Sequence, residues 1–568
     1  MKRALALTLA LVLVFCVFAA CQKTQKPEEK MVLRLNLASE PDYLDPALNS
    51  SVDGACLAIN SFSGLYMYDD KGSLIPACAK SYTVSDDGLI YTFTLKDNLK
   101  WSDGSALTAA DFEYAWKRAA DPATAADYSY MLNGIKGYDE NNLQVTASAD
   151  GKTFTVVLTS PCAYFLDLCA FPTFLPIKQS EVEKYDDWVT NPGHWAQEAG
   201  FISNGAFVLK SWTHDESMVY EKNPNFWDAA NVKVDTLEFM LSADDVAIKG
   251  AYDAGNLDFI DTVPTDEIKT LITSPEFYIA ENLGTYYVCF NAGSDLFKNK
   301  TPEQAANMRL ALSYLVDRTY ITENIGQTGQ KAANSFIPEG MMDGHGGVFK
   351  SNDADYTYPD EANVGYYDPN TVNVAKAIEL LTSAGFKFNN GKLDASTPIS
   401  FEYLTNDSSA HVAIAETLQQ DFGEIGITMT IKTVDWAVFL EERKSGNYDV
   451  ARNGWIADFN DPINMLEMWT SDSGNNDCQF GKTDSPAAPA WSEYDSLIAQ
   501  VKTSTDFVAR EALMHQAEDI LMGTGCIMPI YYYNDIYMQK SNVTGLYANL
   551  FGYKYFLYAN VASATAAK

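Results

Sequence analysis

The stretch that decides the fold of this chain is Tyr448–Pro462, which reads YDVARNGWIADFNDP. It begins with the apolar run Tyr448–Ala451, continues through Arg452 and ends in the acidic segment Asp458–Pro462. A short apolar run followed by Gly, Asn, Asp and Pro is typical of a buried strand that ends at a loop. The stretch therefore predicts a strand over Tyr448–Ala451, with Arg452 at its end and the acidic segment in the loop.

Two opposite charges stand close together in this stretch. Arg452 offers a planar fork of five N–H donors that fits a carboxylate, and Asp458 offers acceptor oxygens that fit an ammonium group. A cation and an anion positioned by one strand end suit a zwitterion with a free amine and a free carboxylate. The alternative is a structural ion pair at the base of a loop, which is common in proteins.

The length and charge of the chain limit the fold and the classes of function that it can have. With 568 residues, of which 47% are hydrophobic, the chain is too long for one core, and two or three lobes are expected. Its 40 Lys and Arg against 75 Asp and Glu give a formal net charge of −35. This balance argues against nucleic-acid binding, which needs a basic surface, and against broad contact with anionic lipid. An acidic surface is typical of a soluble exported domain.

The N-terminal segment 1–20 has the composition of a targeting peptide. Lys2 and Arg3 precede the apolar run Ala4–Phe18, which is shorter than the roughly 20 residues that a membrane-spanning helix needs. Two alanines then lead to Cys21.

The run that ends at Cys21 resembles the lipobox of bacterial lipoproteins, with Phe18 where leucine is usual. By that resemblance Cys21 is diacylated, becomes the mature N-terminus and anchors the chain to the membrane, and the polar segment 21–30 is a flexible tether. The alternative is an ordinary signal peptide followed by an incidental cysteine. Cys16 is a poor candidate because bulky Phe15 precedes it.

The other cysteines and the histidines do not predict a metal centre. Of nine cysteines, seven remain after Cys16 and Cys21 are discounted, so at least one has no partner within the chain. Disulfides and buried thiols are both compatible with an exported protein. His345 stands between glycines, and the sequence offers no partner residues for a metal role. We therefore expect no metal and no cofactor.

Enzyme motifs are also absent from the sequence. There is no HExxH, no GxSxG and no Walker A run, and the chain has only five histidines. A hydrolase would need a nucleophile with its base, or a metal, and ATP hydrolysis by a P-loop would need the Walker A run. We expect the chain not to be an enzyme.

Hydrophobic periodicity predicts strands and helices in both halves of the chain, as α/β lobes require. Thr108 and Asp111 form a variant capping box, which predicts a helix over Ala109–Ala120 that stops before Pro122. The predicted strands are Val32–Leu37, Ile90–Leu95, Val234–Leu241, Leu283–Asn291, Ile399–Leu404, Gly426–Val434 and Cys526–Tyr533. The other predicted helices are Asn307–Arg318, Lys376–Ala384, His411–Phe422, one that starts at Asp435-Trp436, and Met514–Met522.

Several long motifs lie in the same order along the chain as in one known family. They are WSDGxxLTAxDFxYxWKRxxDP over 101–122, NGAF over 204–207, KNPxFW over 222–227, the run 448–477 that starts YDVARNGW, and PxYYY over 529–533. With these motifs the chain resembles the bacterial oligopeptide-binding proteins, which are the substrate-binding subunits of ABC peptide importers and belong to the family 5 extracellular solute-binding class.

The resemblance implies an α/β fold of the periplasmic-binding-protein type II kind, with mixed sheets, two main lobes joined by a hinge, and an extra smaller subdomain. Lobe I would comprise 31–61, 178–282 and 534–568. The inserted subdomain II would be 62–177, and lobe III would be 283–533.

The resemblance also implies the residues that line the ligand cleft. Asp458 would hold the α-ammonium group of a peptide, and Arg443, Arg452 and His411 would take C-terminal carboxylates according to ligand length. Asn49 stands where the best-known peptide binders have an acidic residue. The aromatic side chains that would pack around the ligand are Tyr128, Trp436, Trp455 and Tyr533.

The function that the resemblance implies is capture of short peptides between the lobes and their delivery to a membrane permease driven by a separate ATPase. The chain would be a monomer, exported and attached to the cell membrane through Cys21, on a periplasmic or extracellular face. Two alternatives keep the fold: a different small solute such as a metal chelate or a sugar, and a role as a surface receptor.

Overall fold

The computed structural model describes residues 30–37, 40–162, 164–350, 356–360 and 365–562. The predicted signal segment, Cys21 and the tether up to residue 29 lie outside the described residues. Within the described part, no helix is both long and apolar enough to cross a bilayer.

One eleven-stranded mixed sheet extends through both halves of the molecule. Its centre is an antiparallel pair of long strands, Phe277–Phe290 and Ile527–Gln539, whose register breaks between Glu281 and Thr285. In spatial order the strands are Thr428–Val434, Ser400–Asn406, Val450–Ile456, Phe277–Phe290, Ile527–Gln539, Phe259–Ile260, Val32–Asn36, Thr236–Met240, Ser217–Lys222 and Phe207–Thr213, with Lys331–Ala332 paired to Ile527–Gln539. The two long strands therefore connect the halves.

A separate four-stranded antiparallel sheet forms the centre of the inserted region. Its strands in spatial order are Ala79–Val84, Ile90–Leu95, Thr153–Val157 and Val145–Ala147. The remaining strands of the described residues form two-stranded antiparallel sheets. They pair Tyr66–Tyr68 with Leu74–Pro76, Phe388–Asn389 with Lys392–Leu393, Val543–Thr544 with Asn560–Val561, and Tyr547–Ala548 with Lys554–Tyr555. The predicted strand Ile90–Leu95 is confirmed with the same bounds.

Helices flank both sheets. The α-helices are Val52–Ser61, Ala109–Ala120, Phe165–Leu168, Gln179–Val182, Asp245–Asp253, Ile268–Leu271, Pro302–Leu315, Arg318–Tyr320, Val374–Ser383, Ser409–Gly423, Trp436–Lys444, Ile463–Glu467, Ser492–Thr503 and Phe507–Gly523, and a π-helical turn spans Ile321–Gly326.

The helix Ala109–Ala120 begins and ends where the sequence predicts. The Asp111 carboxylate accepts the Thr108 backbone N–H at 2.7 Å, which completes the capping box. At its other end Arg118 is buried and donates to Asp45 at 3.1 and 2.6 Å, and Trp195 Nε1 donates to the same carboxylate at 2.8 Å. This buried ion pair joins the helix to the segments around Asp45 and Trp195.

The strand predicted over Tyr448–Ala451 is longer and lies further along the chain, at Val450–Ile456. It pairs antiparallel with the central strand, from Phe290 opposite Val450 to Gly284 opposite Ile456. The prediction that Arg452 stands at the strand end is wrong, because these ladder hydrogen bonds extend the strand through residues whose composition resembles a loop. The sheet therefore positions Arg452 rigidly.

The seven described cysteines are all free thiols, and six of them are buried. Of the two interpretations that the sequence left open, the structure favours buried thiols. The boundaries assigned to the three lobes stay a prediction.

Candidate ligand-binding cleft

A cavity of about 410 Å³ lies between the lobes and is open on one side. Its volume falls in the range usual for small-molecule sites. All nine residues predicted from the sequence line it: Asn49, Tyr128, His411, Trp436, Arg443, Arg452, Trp455, Asp458 and Tyr533. These residues come from parts of the chain that are far apart in sequence, so the cavity forms only where those parts meet in the fold.

Asp458 is a buried acid without a cationic partner among the described residues. The Tyr128 hydroxyl donates to its Oδ1 at 3.3 Å and Asn464 Nδ2 donates to its Oδ2 at 2.9 Å. Burial raises the pKa of Asp458 to about 8, and the charge of Glu467 adds to the rise. Because burial disfavours the charged form, the carboxyl group is largely protonated at neutral pH until a cation arrives.

Asn464 holds the loop that contains Asp458. Its Oδ1 accepts the Asp458 backbone N–H at 2.9 Å and the Trp455 indole N–H at 3.2 Å, while its Nδ2 donates to the carboxyl group. It is fully buried. Sequence reasoning missed this residue, although a single polar residue in the apolar run that follows Pro462 is the signal that points to it.

Arg452 is a buried cation among aromatic rings. Its guanidinium carbon lies 5.4 Å from the ring centre of Tyr286 and 5.7 Å from that of Trp436. No carboxylate lies within 4.0 Å of its nitrogens in the described part of the chain, and its Nε makes no hydrogen bond there. An arginine stays ionised, and neighbouring tyrosines further raise its pKa against the effect of burial. The Arg452 guanidinium is therefore a buried cation without an ion-pair partner among the described residues.

Tyr286 packs against Arg452 behind the cavity wall and was not singled out from the sequence. It stacks on Tyr531 with ring centres 4.8 Å apart and meets Tyr533 edge-on at 6.1 Å. The signal for it was the aromatic run of the central strand. Rings that face a cation stabilise it without neutralising it, so they leave the charge of Arg452 available to a ligand.

His411 lies beside Arg452 and is neutral. Its ring centre is 5.5 Å from that of Tyr286. Burial, followed by the positive charge of Arg452, lowers the pKa of His411 well below its usual value. Its Nδ1 makes no hydrogen bond to the described residues, so a ligand group can bond to it.

Arg443 differs from Arg452 because a protein acid already neutralises it. Its Nε lies 2.8 Å from Asp477 Oδ2, and Asn453 Nδ2 donates to the same oxygen at 2.9 Å. Of the two predicted arginines, Arg452 is the one that has no described carboxylate within 4.0 Å.

Asn49 uses its side chain locally. Its Nδ2 donates to the Ser51 carbonyl at 3.0 Å, and its Oδ1 accepts from the Ser51 hydroxyl at 3.2 Å. It therefore shapes the turn before the helix Val52–Ser61 at the rim of the cavity.

A buried lysine forms part of the cavity wall on the first lobe. Lys554 Nζ lies 3.0 Å from Asp261 Oδ2 and 2.9 Å from Asp535 Oδ2. Burial raises the pKa of Asp261 above its usual value and that of nearby Asp53 to about 6. No sequence pattern indicates this cluster, since its members are distant along the chain and meet only in the fold.

The sequence and the structure match known proteins along most of the chain. The model for bacterial extracellular solute-binding proteins, family 5, matches residues 73–477. The oligopeptide-binding protein OppA of Bacillus subtilis is 32% identical over 531 residues, which are 91% of this chain and 90% of that protein. The Haemophilus influenzae OppA structure, a complex with the peptide RPPGFSPFR, gives a TM-score of 0.80 at 27% identity and covers 94% of this chain and 100% of that one.

Two structures of a third relative differ in how well they match this one. A structure of the murein tripeptide binding protein MppA of Escherichia coli gives a TM-score of 0.81 at 28% identity, covering 94% of this chain and 99% of that one. The unliganded open form of MppA gives only 0.59 at the same identity, with 94% and 98% covered. The lobes of the present structure are therefore not in the open arrangement.

A two-lobed α/β fold with a cavity between the lobes defines a solute-binding protein of the periplasmic-binding class. Within that class, the chain belongs to family 5 of the bacterial extracellular solute-binding proteins.

Proposed function

We propose that this chain is the substrate-binding lipoprotein of an ABC importer and that it captures short peptides in the cleft. The observation that supports this most strongly is the pair of unbalanced groups in one cavity: the buried acid Asp458 and the buried cation Arg452. The two ends of a peptide supply the missing charges. The names of the relatives, which are peptide-binding proteins, agree with this assignment.

The peptide would lie with its α-ammonium group on Asp458 and its carboxylate on Arg452. Charge-assisted hydrogen bonds are stronger than neutral ones, and the exclusion of water strengthens them further. His411, beside Arg452, would donate to the same carboxylate. The side chains of the peptide would pack against Tyr128, Trp436, Trp455 and Tyr533. Flat aromatic faces can contact side chains of many shapes, so the cleft would accept peptides of different sequence.

Delivery would follow from closure of the lobes. Two lobes that share a pair of central strands close around a ligand by a hinge motion, and the closed form then presents a different surface from the open form. A membrane permease would recognise that closed form, and a separate ATPase subunit would supply the energy, since this chain has no Walker A run.

A panel of ligands tests the proposal. Isothermal titration of the purified protein with di- to pentapeptides should give one-to-one binding, whereas monosaccharides and metal chelates should give none. Peptides that are acetylated at the N-terminus should bind much more weakly than free peptides of the same sequence. Binding of a sugar or chelate with no response to any peptide would overturn the assignment.

Peptide binding should release close to one proton at pH 7. The free Asp458 has a pKa of about 8, and an ammonium group in contact with it lowers that value, so the carboxyl group ionises as the peptide binds. Affinity should then fall nearly tenfold between pH 7 and pH 6, since the protonated form competes with the ligand. Titration in two buffers of different ionisation enthalpy measures the proton count. A heat that does not depend on the buffer would contradict the prediction.

Gly454→Ala should weaken peptide binding about tenfold. A methyl group at this position would lie 2.2 Å from the Tyr533 hydroxyl oxygen, and overpacking of this kind costs about 1–3 kcal/mol. The displaced Tyr533 ring would enter the cleft. Gly423→Ala is the matched control, because a methyl group there meets no atom within 4 Å. Equal affinity in the two variants would show that Tyr533 does not shape the cleft.

Cys21→Ser should move the protein from the membrane fraction to the soluble fraction. A lipid on Cys21 is the proposed anchor, and the sequence that follows the signal segment is too polar to insert into the membrane by itself. Without the lipid, the mature protein would therefore have no anchor. Fractionation with and without detergent, together with the intact mass of the mature chain, measures the change. Cys16→Ser should leave the anchor in place, and a Cys21→Ser protein that stays on the membrane would exclude this anchor.

A further inference from the structure

A second cluster of chemically capable side chains lies outside the cleft, where the loop 341–349 meets the helix Phe507–Gly523. It contains Asp343, His345 and Glu511. His345 Nε2 lies 2.6 Å from Glu511 Oε2 and 3.7 Å from Asp343 Oδ2. One ligand atom from each residue falls within 4.8 Å of the others.

The loop conformation fixes the direction of the Asp343 carboxylate. Its Oδ1 accepts the backbone N–H groups of His345 at 2.8 Å and Gly347 at 2.9 Å. Two glycines with positive φ, Gly344 at 85° and Gly346 at 110°, permit this tight turn. The other oxygen, Oδ2, is left facing the imidazole.

Asp343 Oδ2 is a buried acceptor that no hydrogen bond from the described residues satisfies. The residue is 1% exposed. A buried ionised carboxylate is costly unless a cation or hydrogen bonds balance it, and this oxygen therefore points to a ligand near His345 Nε2.

Two carboxylates and one imidazole meet in this cluster. Asp343 and Glu511 are both buried, and His345 Nε2 lies within 4.0 Å of an oxygen of each. Arg510, next in sequence to Glu511, is already engaged with Asp461 through two hydrogen bonds of 2.8 Å. A divalent cation would offset both carboxylates and leave the imidazole neutral.

We propose that Asp343, His345 and Glu511 bind a divalent transition-metal ion of the zinc class. One imidazole nitrogen and two carboxylate oxygens form a donor set that Zn²⁺ accepts, with a water in the fourth position. In a tetrahedral zinc site, neighbouring ligand atoms lie on the order of 3.3 Å from each other. The distances of 2.6 and 3.7 Å bracket that spacing, so side-chain shifts of about one ångström complete the site. His345, which is partly exposed, leaves an entry path for the ion.

Such an ion would join the loop to the helix beside the segment that contains Asp458. The residue before Asp343, Met342, donates its backbone N–H to Asn460 Oδ1 at 3.0 Å, and Arg510 holds Asp461 in the same segment. The metal site does not depend on the identity of the cleft ligand.

The test is a zinc titration of the purified protein after treatment with a chelator. Isothermal titration with ZnCl₂ should show one tight site, and a 100-fold excess over Kd should raise the melting temperature by about 2 °C. His345→Gln should weaken zinc binding at least 100-fold. His214→Gln is the matched control, because His214 also meets two acids, Glu40 and Glu198, but at the exposed surface. It should leave the tight site unchanged.

Two results would overturn the proposal: no stoichiometric zinc binding by the intact protein, or tight binding that survives in His345→Gln. Glu511→Gln tests the buried ligand. If that variant does not fold, His345→Gln decides the question, since the exposed edge of His345 makes its replacement mild. Cobalt offers an independent readout, because Co²⁺ in a tetrahedral site of this kind has visible absorption bands that should vanish in the His345 variant. Calcium should not compete, since it prefers six or more oxygen ligands.

Discussion

Asp458→Asn is expected to weaken the binding of a free-amine peptide about 100-fold, or about 2.7 kcal/mol. The carboxylate is buried and receives hydrogen bonds from Tyr128 and Asn464 but has no cation within the described residues. Asparagine keeps the size of the side chain and can still accept from a peptide amine, but it offers no negative charge. The ammonium group would then be buried without a counter-charge, which is the main cost. Isothermal titration measures the change.

An N-acetylated peptide and a second variant are the controls for the Asp458→Asn titration. An N-acetylated peptide has no ammonium group, so it should bind wild type and Asp458→Asn with similar, weak affinity. Asp407→Asn removes an exposed acid from the rim of the same cavity and should change affinity less than threefold. A free-amine peptide that binds Asp458→Asn as tightly as wild type would exclude Asp458 as the amine anchor.

Arg452→Met is expected to reduce affinity for a free-acid peptide on the order of 1,000-fold, or about 4 kcal/mol. Arg452 has no ion pair with a described carboxylate, and Arg443 cannot replace it while Arg443 is paired with Asp477. Methionine fills part of the space between Tyr286 and Trp436, so the expected loss comes from the charge and the hydrogen bonds. The peptide carboxylate would be left buried without a donor fork.

The C-terminal amide of the same peptide separates the two contributions. It should bind the wild type weakly and should lose little further affinity in Arg452→Met. Arg452→Lys keeps the charge but not the planar fork, and it should lie between wild type and Arg452→Met. An equal loss for the acid and the amide would mean that Arg452 acts by packing against the aromatic rings instead of by binding the carboxylate.

The parts of the fold that local chemistry determines were predictable from the sequence. The helix Ala109–Ala120 has its predicted bounds because Thr108 and Asp111 fix its start and Pro122 prevents its continuation. The strand Ile90–Leu95 follows from its alternating pattern. The strand Val450–Ile456 was predicted too short, because its second half is held by partners on Phe277–Phe290 that no local pattern reveals.

The family resemblance placed nine residues at the cleft, but it did not predict how their side chains pair. The nine predicted residues line one cavity, yet the sequence did not indicate that Asp477 neutralises Arg443 or that Asn464 holds the Asp458 loop. Pairings of this kind depend on where separate loops meet. The same limit applies to His345, for which the sequence offered no partner, because Glu511 is brought to it by a helix from a distant part of the chain.

If the cleft holds short peptides by their amine, native mass spectrometry of the protein purified without unfolding should detect them without any added ligand. We expect mass additions that dissociate as a mixture of short peptides in the wild type and are largely lost in Asp458→Asn. A wild-type protein that carries no peptide and shows no thermal shift with mixed di- to pentapeptides would exclude peptide capture in this cleft.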